Sequence, residues 1–562
     1  MLLLAVFAGM VAEKDFNISS TLAAVAAEHG KRTGLVHCRR DRYKSWSFAA
    51  LQDTVSKYAG ILRRAGIQPG RRVMLMVRPS MDFICLTFAL FRLRAVVILI
   101  DPGMGFSNLL RCIASVRPAV LIALPQVQIL SRLFPRPFRS VRQRICVGPS
   151  LGLLGHALHG LRGTEDTENK GAGKAGENEL AAIIFTTGST GPPKGVRYTH
   201  GIFHAQLQLI RSSFGIGSTD VDQPGFPLFG LFSIALGART VIPDMDPTRP
   251  AKVVPERFVA SILDQQVTYS FGSPAIWNVV SRYCRQKNIV LPLRKVLMAG
   301  APVSGELVGR VREIIDPAGE IYVPYGATEG LPLTAITGSE LLGQTWHLTR
   351  QGKGTCVGRP LPGMDIRIIR PRNGRITGWD EVEELEAGTI GEIVASGPVV
   401  TRSYDHDDRE TALAKIADNN RLWHRMGDMG YLDEQGRLWF CGRKAHRVFT
   451  SQGVLYTIPC EAIFNEHPEV YRSALVGVGQ PGRQTPVLVV EPAGQCRDQD
   501  RLIAALHTLA QSKAHTRCIR TFLLHPGFPV DIRHNAKIFR ERLADWAKQQ
   551  LAAKGCLDGG GL

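Results

Sequence analysis

Apolar residues along this chain fall into short runs separated by stretches of helical length. Val73-Met74-Leu75-Met76-Val77 reads as a buried strand. Ser80 stands where a helix N-cap belongs, ahead of an apolar helix over Met81 to Leu93, and Ala95 to Leu99 reads as the next strand. Such alternation predicts βαβ units and a mostly parallel sheet. The pattern returns at Glu256–Gln265 followed by Val267–Phe271, and again at Val296–Met298 ahead of Ala299-Gly300-Ala301-Pro302. Leu180 to Ile184 is a further buried strand, preceded by 163–179, a loop rich in Gly, Lys, Glu and Asn with almost nothing apolar to bury.

The style changes farther along. Ile366 to Val394 carries short strands and turns such as Arg372-Asn373-Gly374, as in a small β-rich subdomain. After Gly442 a helix over Pro459 to Glu466 and strands at Ser473 to Val478 and Pro486 to Glu491 suggest a compact α+β module. The expectation is an α/β protein. A large N-terminal domain, 1–441, holds mixed and parallel sheets and the β-rich subdomain, and a small α+β domain, 442–562, follows it. No period of repeat length is present.

Composition narrows the classes. A chain of 562 residues with 44% apolar and 21% charged residues is ordinary for a multi-domain globular protein. The formal charge of +19 suits anionic ligands, but no dense basic run interleaved with aromatics points to nucleic acid. The eleven cysteines form no CxxC pair, so reduced thiols in a cytoplasmic protein are expected. The apolar start, Met1 to Gly9, lacks the positive region of a signal peptide, and Met10 is an alternative start. Arg92 and Arg94 interrupt the apolar run Phe83 to Ile100, which argues against a membrane span.

The candidate chemistry begins directly after the strand at 180–184, with Phe185-Thr186-Thr187-Gly188-Ser189-Thr190-Gly191-Pro192-Pro193-Lys194-Gly195. Glycines allow close backbone approach, Thr187, Ser189 and Thr190 can donate to phosphate oxygens, and Lys194 adds a positive charge. The Walker spacing is absent, and Pro192-Pro193 argues against a loop running straight into a helix. Further on, Pro324-Tyr325-Gly326-Ala327-Thr328-Glu329 brings together an aromatic face, a hydroxyl and a carboxylate able to hold a hard cation. Asp428, in Met426-Gly427-Asp428-Met429-Gly430-Tyr431, can accept from a pair of hydroxyls. Gly442-Arg443-Lys444 and His534-Asn535-Ala536-Lys537-Ile538 complete the set.

Together and in this order, these segments resemble the adenylate-forming superfamily of acyl-CoA synthetases, luciferases and peptide-synthetase adenylation domains, from about Asp15 to Gln549. The resemblance implies ATP and Mg²⁺ as cofactors. It implies that Thr186, Thr187, Gly188, Ser189, Thr190, Gly191, Lys194 and Gly195 bind the ATP phosphates. Ala299, Gly300, Ala301, Pro302 and Tyr325 would flank the adenine, Gly326 would belong to the same nucleotide site, and Thr328 would contact the α-phosphate. Glu329 would hold the metal, and Asp428 would take the ribose hydroxyls with Arg443 beside it. Lys537 would reach the reacting carboxylate from a mobile C-terminal lid. Lys537, Thr328, Glu329 and Lys194 are then the catalytic set.

Departures point to one branch. Gly442-Arg443-Lys444-Ala445 lacks the hinge carboxylate, and Asn535-Ala536 precedes the late lysine where Ser-Gly is usual. Segments around Ile100-Asp101-Pro102-Gly103, Ile242 to Pro250, Gly354 to Pro360 and Phe528 to Arg540 are similar to the olefin β-lactone synthetases. That branch adenylates a long-chain 2-alkyl-3-hydroxy acid and closes it to a β-lactone, releasing AMP and pyrophosphate, in long-chain olefin biosynthesis. It also implies a multienzyme assembly with a β-lactone decarboxylase and a reductase. The alternatives are a fatty acyl-CoA synthetase and a catalytically silent scaffold. His200, His424 and His534 are the candidates to take the hydroxyl proton, and for each a structural place or a phosphate neighbour is the stronger reading. Phe226 to Phe232 either lines an acyl tunnel or packs a core.

Overall fold

A computed structural model describes residues 14–39, 42–150, 154–158, 173–185, 192–496, 498–530 and 538–553. The chain divides into two compact units. The first is Met1–Thr187, Pro193–Pro243 and Ser403–Asp407; the second is Gly188–Pro192, Asp244–Arg402 and Asp408–Leu562.

The first unit is built on a seven-stranded sheet. Its order is His156–Ala157, Gln143–Cys146, Val120–Ala123, Arg72–Met76, Val96–Leu99, Leu180–Phe185 and Gly195–Thr199. Every pairing is parallel except the last, where Leu180–Phe185 and Gly195–Thr199 run antiparallel. The central strands are nearly continuous apolar runs because both faces of a parallel sheet are covered. Met74, Ile98, Leu121, Ile183 and Ile113 form one cluster on it. The expected βαβ unit is present as Arg72–Met76, Met81–Arg92 and Val96–Leu99, and Ser80 caps the helix by accepting from the Phe83 N–H at 3.2 Å. As Pro192-Pro193 suggested, the chain enters a strand before the helix His200–Phe214 begins.

In the second unit, Tyr269–Gly272, Lys295–Met298 and Glu320–Ala327 are parallel neighbours. The sheet continues antiparallel through Gly330–Thr337, Thr355–Pro360, Leu438–Arg443, Arg421–Leu432, Gly391–Ser396 and Asp365–Ile369. The α+β module expected after 442 contains the strands Val470–Val478, Thr485–Pro492 and Thr521–Leu524. The helices Thr457–Phe464 and Gln499–Gln511 pack on it through a core holding Phe464, Leu475, Leu488 and Leu506, and Arg540–Ala553 packs through a second core with Val476 and Leu543. No described helix is long and apolar enough to cross a membrane. Much of the expected loop at 163–179 lies outside the described residues.

Candidate active site

In the first unit, Lys194 immediately precedes the strand Gly195–Thr199, with its Nζ 5.1 Å from the centroid of the Tyr404 ring. That strand is tied down by distant residues. The Asp405 N–H donates to the Gly195 carbonyl at 2.7 Å, and Val196 bridges to Tyr404. The Asp405 carboxylate accepts a two-pronged pair of bonds from the Arg72 guanidinium, 2.8 Å each, and Arg72 also donates to the Val116 carbonyl. A planar fork on a buried carboxylate is geometrically specific, so it fixes the backbone from which Lys194 projects. Thr186, Thr187, Gly188, Ser189, Thr190 and Gly191 lie outside the described residues.

In the second unit, the loop Ala299-Gly300-Ala301-Pro302 leaves the carboxyl end of the strand Lys295–Met298, with Gly300 at φ +94°. The neighbouring strand carries Tyr325 and Gly326 to the same edge, where ligands of open α/β sheets bind. Glycine is required at 326, because a Cβ there would sit 2.4 Å from the Gly330 carbonyl oxygen. Thr328 and Glu329 form the two-residue turn between Glu320–Ala327 and Gly330–Thr337.

The Tyr325 hydroxyl donates to Asp428 Oδ2 at 2.6 Å, and Asp428 Oδ1 lies 3.0 Å from Arg443 Nη1. Asp428 and Arg443 are cross-strand partners on Arg421–Leu432 and Leu438–Arg443. Burial pushes the Asp428 pKa up, against the Arg443 charge and the Tyr325 hydrogen bond, which favour the carboxylate. The same pairing pushes Arg443 up, and burial beside Asp428 pushes the Tyr325 phenol well up. Asp428 Oδ1 is buried and accepts no aligned hydrogen bond; Arg443 satisfies its charge and leaves lone-pair capacity. That is an acceptor fit for a ligand hydroxyl. The Glu329 charge reaches both Asp428 and Arg443, so these residues share one electrostatic neighbourhood.

The turn bearing Glu329 is held from behind. The Thr401 N–H and Oγ1 both donate to the Glu329 carbonyl, at 2.8 and 3.1 Å. Lys415, buried, donates in turn to the Thr401 carbonyl. Burial pushes the Lys415 ammonium down to about 7, opposed by the Glu329 charge. Sequence reading missed Lys415; its only signal is a lysine at a buried register position of a short strand, Lys415–Asp418. The Arg72–Asp405 fork was missed for a different reason, since its partners are 333 positions apart.

His200 begins the helix His200–Phe214 and is wholly buried. Burial pushes its pKa down to about 4, and its ring meets Phe91 edge-on. These are the surroundings of a core histidine. His424 is buried and pairs across strands with Lys415. His534 and Lys537 lie outside the described residues. Phe226, Phe229 and Phe232 form a chain of ring contacts that continues to Phe203. At Lys444, beside the missing hinge carboxylate, the ammonium meets buried Glu392 at 2.7 Å, which Arg425 also grips.

The family model described as AMP-binding enzyme matches residues 22–405. The olefin beta-lactone synthetase of Xanthomonas campestris is 43% identical over 518 residues, covering 90% of this chain and 91% of that protein. The olefin beta-lactone synthetase of Stenotrophomonas maltophilia is 44% identical, covering 86% of this chain and 88% of that one. The solved amide bond synthetase McbA of Marinactinospora thermotolerans has a TM-score of 0.77 at 22% identity, covering 94% of this chain and 99% of that one.

Proposed function

The chain belongs to the AMP-binding enzyme family, and from that premise we propose that it is an ATP-dependent β-lactone synthetase acting on a long-chain 2-alkyl-3-hydroxy acid. The observation that carries this reading is the 43% identity, over 90% of the chain, to an olefin beta-lactone synthetase. The unspent acceptor at Asp428 beside Tyr325 and Arg443 supports the nucleotide half of the reaction.

A carboxylate is a poor acylating agent. Its oxygen attacks the α-phosphorus of ATP, the bond to the β-phosphate bridging oxygen breaks, and pyrophosphate leaves. Lys194, with the hydroxyls and amides of 186–195, offsets charge on the phosphates. Thr328 contacts the α-phosphate and Arg443 backs Asp428, which accepts from the ribose hydroxyls. Gly300, Ala301, Pro302, Tyr325 and Gly326 flank the adenine. Glu329 offers Mg²⁺ a carboxylate oxygen on a fixed turn, which suits an ion whose other ligands are phosphate oxygens and waters. Bound there, the ion would neutralise developing phosphate charge. Lys537, from a C-terminal lid beginning at 442, steers the carboxylate oxygen toward phosphorus.

In the second step the 3-hydroxyl oxygen attacks the acyl carbon and its proton passes to solvent, the bond between the acyl carbon and the phosphate oxygen breaks, and AMP leaves with that electron pair. Hydroxyl and acyl carbon belong to one molecule, so closure needs no external thiol. The same reading places the enzyme in the cytoplasm, in long-chain olefin biosynthesis, in an assembly with a β-lactone decarboxylase and a reductase. The test is product analysis by NMR and mass spectrometry with the hydroxy acid, ATP and Mg²⁺, with and without CoA. A β-lactone formed without CoA is expected. An acyl-CoA as the only product, formed in strict dependence on CoA, makes the chain an acyl-CoA synthetase instead.

A further inference from the structure

The first unit carries an apolar patch that neither its core nor the nucleotide chemistry uses. Ile129 and Leu133 lie one helical turn apart on Pro125–Leu133 and are 47% and 69% exposed, while Gln128 and Ser131 on the same helix are buried. Phe134 follows at the helix end, and its ring meets that of exposed Phe106, at the start of the helix Phe106–Val116, at 5.1 Å and 73°. The Phe106–Phe134 ring contact and the Ile129–Leu133 helix face thus put four large exposed apolar side chains on two neighbouring helices. Contiguous apolar surface of this kind marks an interaction site.

The charge within this segment has one sign. Residues 102–150 contain no Asp or Glu, and their cations are all arginines. Arg132, Arg136 and Arg139 are exposed in the same segment as Leu133 and Phe134. Arginine can lay its stem along apolar surface and hold its head at a polar boundary. A protein interface is ordinarily a mosaic of both signs that fixes register. A segment without a carboxylate has nothing to set register, and it matches a surface that is uniformly negative and apolar beneath. We propose that this face docks the enzyme peripherally on a bilayer containing anionic phospholipid. Leu133 and Phe134 enter the acyl boundary, and Arg132, Arg136 and Arg139 bind the headgroups.

The test is flotation of the full-length protein with vesicles of phosphatidylcholine alone and of phosphatidylcholine mixed with phosphatidylglycerol. Binding to the mixed vesicles, weakened by salt, is expected. Each basic residue near an anionic surface strengthens partitioning about fivefold. The triple variant Arg132→Gln/Arg136→Gln/Arg139→Gln should therefore lose about a hundredfold. Leu133→Ser/Phe134→Ser should lose about tenfold or more, because the buried apolar area goes with it. Both variants should keep the parent melting temperature, since the altered side chains are exposed. Equal binding by parent and variants, or no preference for the anionic vesicles, overturns the proposal. So does light scattering that shows a self-associated protein dissociated by these changes while no vesicle binds, because the face would then be a protein interface.

Discussion

Asp428 and Arg443 stand opposite each other on adjacent antiparallel strands, Oδ1 to Nη1 at 3.0 Å, and the other carboxylate oxygen accepts from Tyr325 at 2.6 Å. A buried carboxylate with no partner would take up a proton. Here burial pushes the Asp428 pKa up, guanidinium and phenol oppose that shift, and Oδ1 keeps acceptor capacity. The geometry is that of a preformed acceptor, and it sets the first expectation. Asp428→Asn should raise the KM for ATP by about 10- to 100-fold, the range of a lost charged hydrogen bond. Tyr325→Phe, which keeps the ring and removes the donor, should raise it by about fivefold. ATP–pyrophosphate exchange measures both, and an unchanged KM in the Asn variant would remove the nucleotide from this position.

Lys415 separates stability from function. Replacing it with Met takes a costly buried ammonium out of the protein but leaves the Thr401 carbonyl without its donor. These effects oppose each other, so the melting temperature should move by only a few degrees. The Glu329 turn hangs from Thr401, so with Glu329 in its proposed metal role the variant should need about tenfold more Mg²⁺ to reach half-maximal adenylate formation, and titrating Mg²⁺ at fixed ATP reads this directly. Normal metal dependence in a folded variant would mean the turn holds itself.

Asp222 predicts a pH dependence of stability. It is wholly buried, accepts from Ser233 Oγ at 2.6 Å, and has its pKa pushed up to about 8 chiefly by burial. The folded state therefore holds this proton where the unfolded chain has released it. Stability from this group is complete below the ordinary carboxylate range and is lost as pH rises through about 8. Thermal unfolding followed from pH 6 to 9 should show the parent losing ground against Asp222→Asn, which cannot ionise. Parallel curves for the two proteins would contradict a protonated Asp222.

Lys537 separates the steps within adenylation. Its proposed role lies in steering the carboxylate, so Lys537→Ala should retain ATP binding while acyl-AMP formation falls by about a hundredfold or more. Equilibrium nucleotide binding and a single-turnover assay for acyl-AMP give the two readings. Acyl-AMP formed at the parent rate would remove this lysine from the reaction.

Local chemistry made much of this legible in the sequence. Ser80 before an apolar helix, the apolar strand ahead of Lys194, and the Thr328–Glu329 pair after Gly326 each announce themselves within a few residues. The Arg72–Asp405 fork and the Lys415–Thr401–Glu329 chain do not, because their partners meet only through folding. A buried lysine or a forked arginine looks in sequence like any surface cation, and the desolvation that makes it specific is a tertiary property. His200 illustrates the converse. Its residue type left a base, a structural place and a phosphate neighbour open, and only its surroundings show the core.

In the proposed reaction the 3-hydroxyl of the substrate decides the second step. Adenylation acts on the carboxylate alone, so a matched long-chain acid without that hydroxyl should still exchange pyrophosphate. Lactone closure needs the oxygen held beside the acyl carbon of the same molecule, so no second reactant has to be bound. Water and free thiols would have to compete without that advantage. The deoxy acid should therefore give acyl-AMP in an amount close to that of enzyme, with steady-state AMP release lower by about a hundredfold or more. Rapid quench with mass detection of the adenylate distinguishes this burst from turnover. Multiple-turnover AMP release from the deoxy acid at the parent rate, in the absence of CoA, would show that the acceptor is something other than the substrate's own hydroxyl.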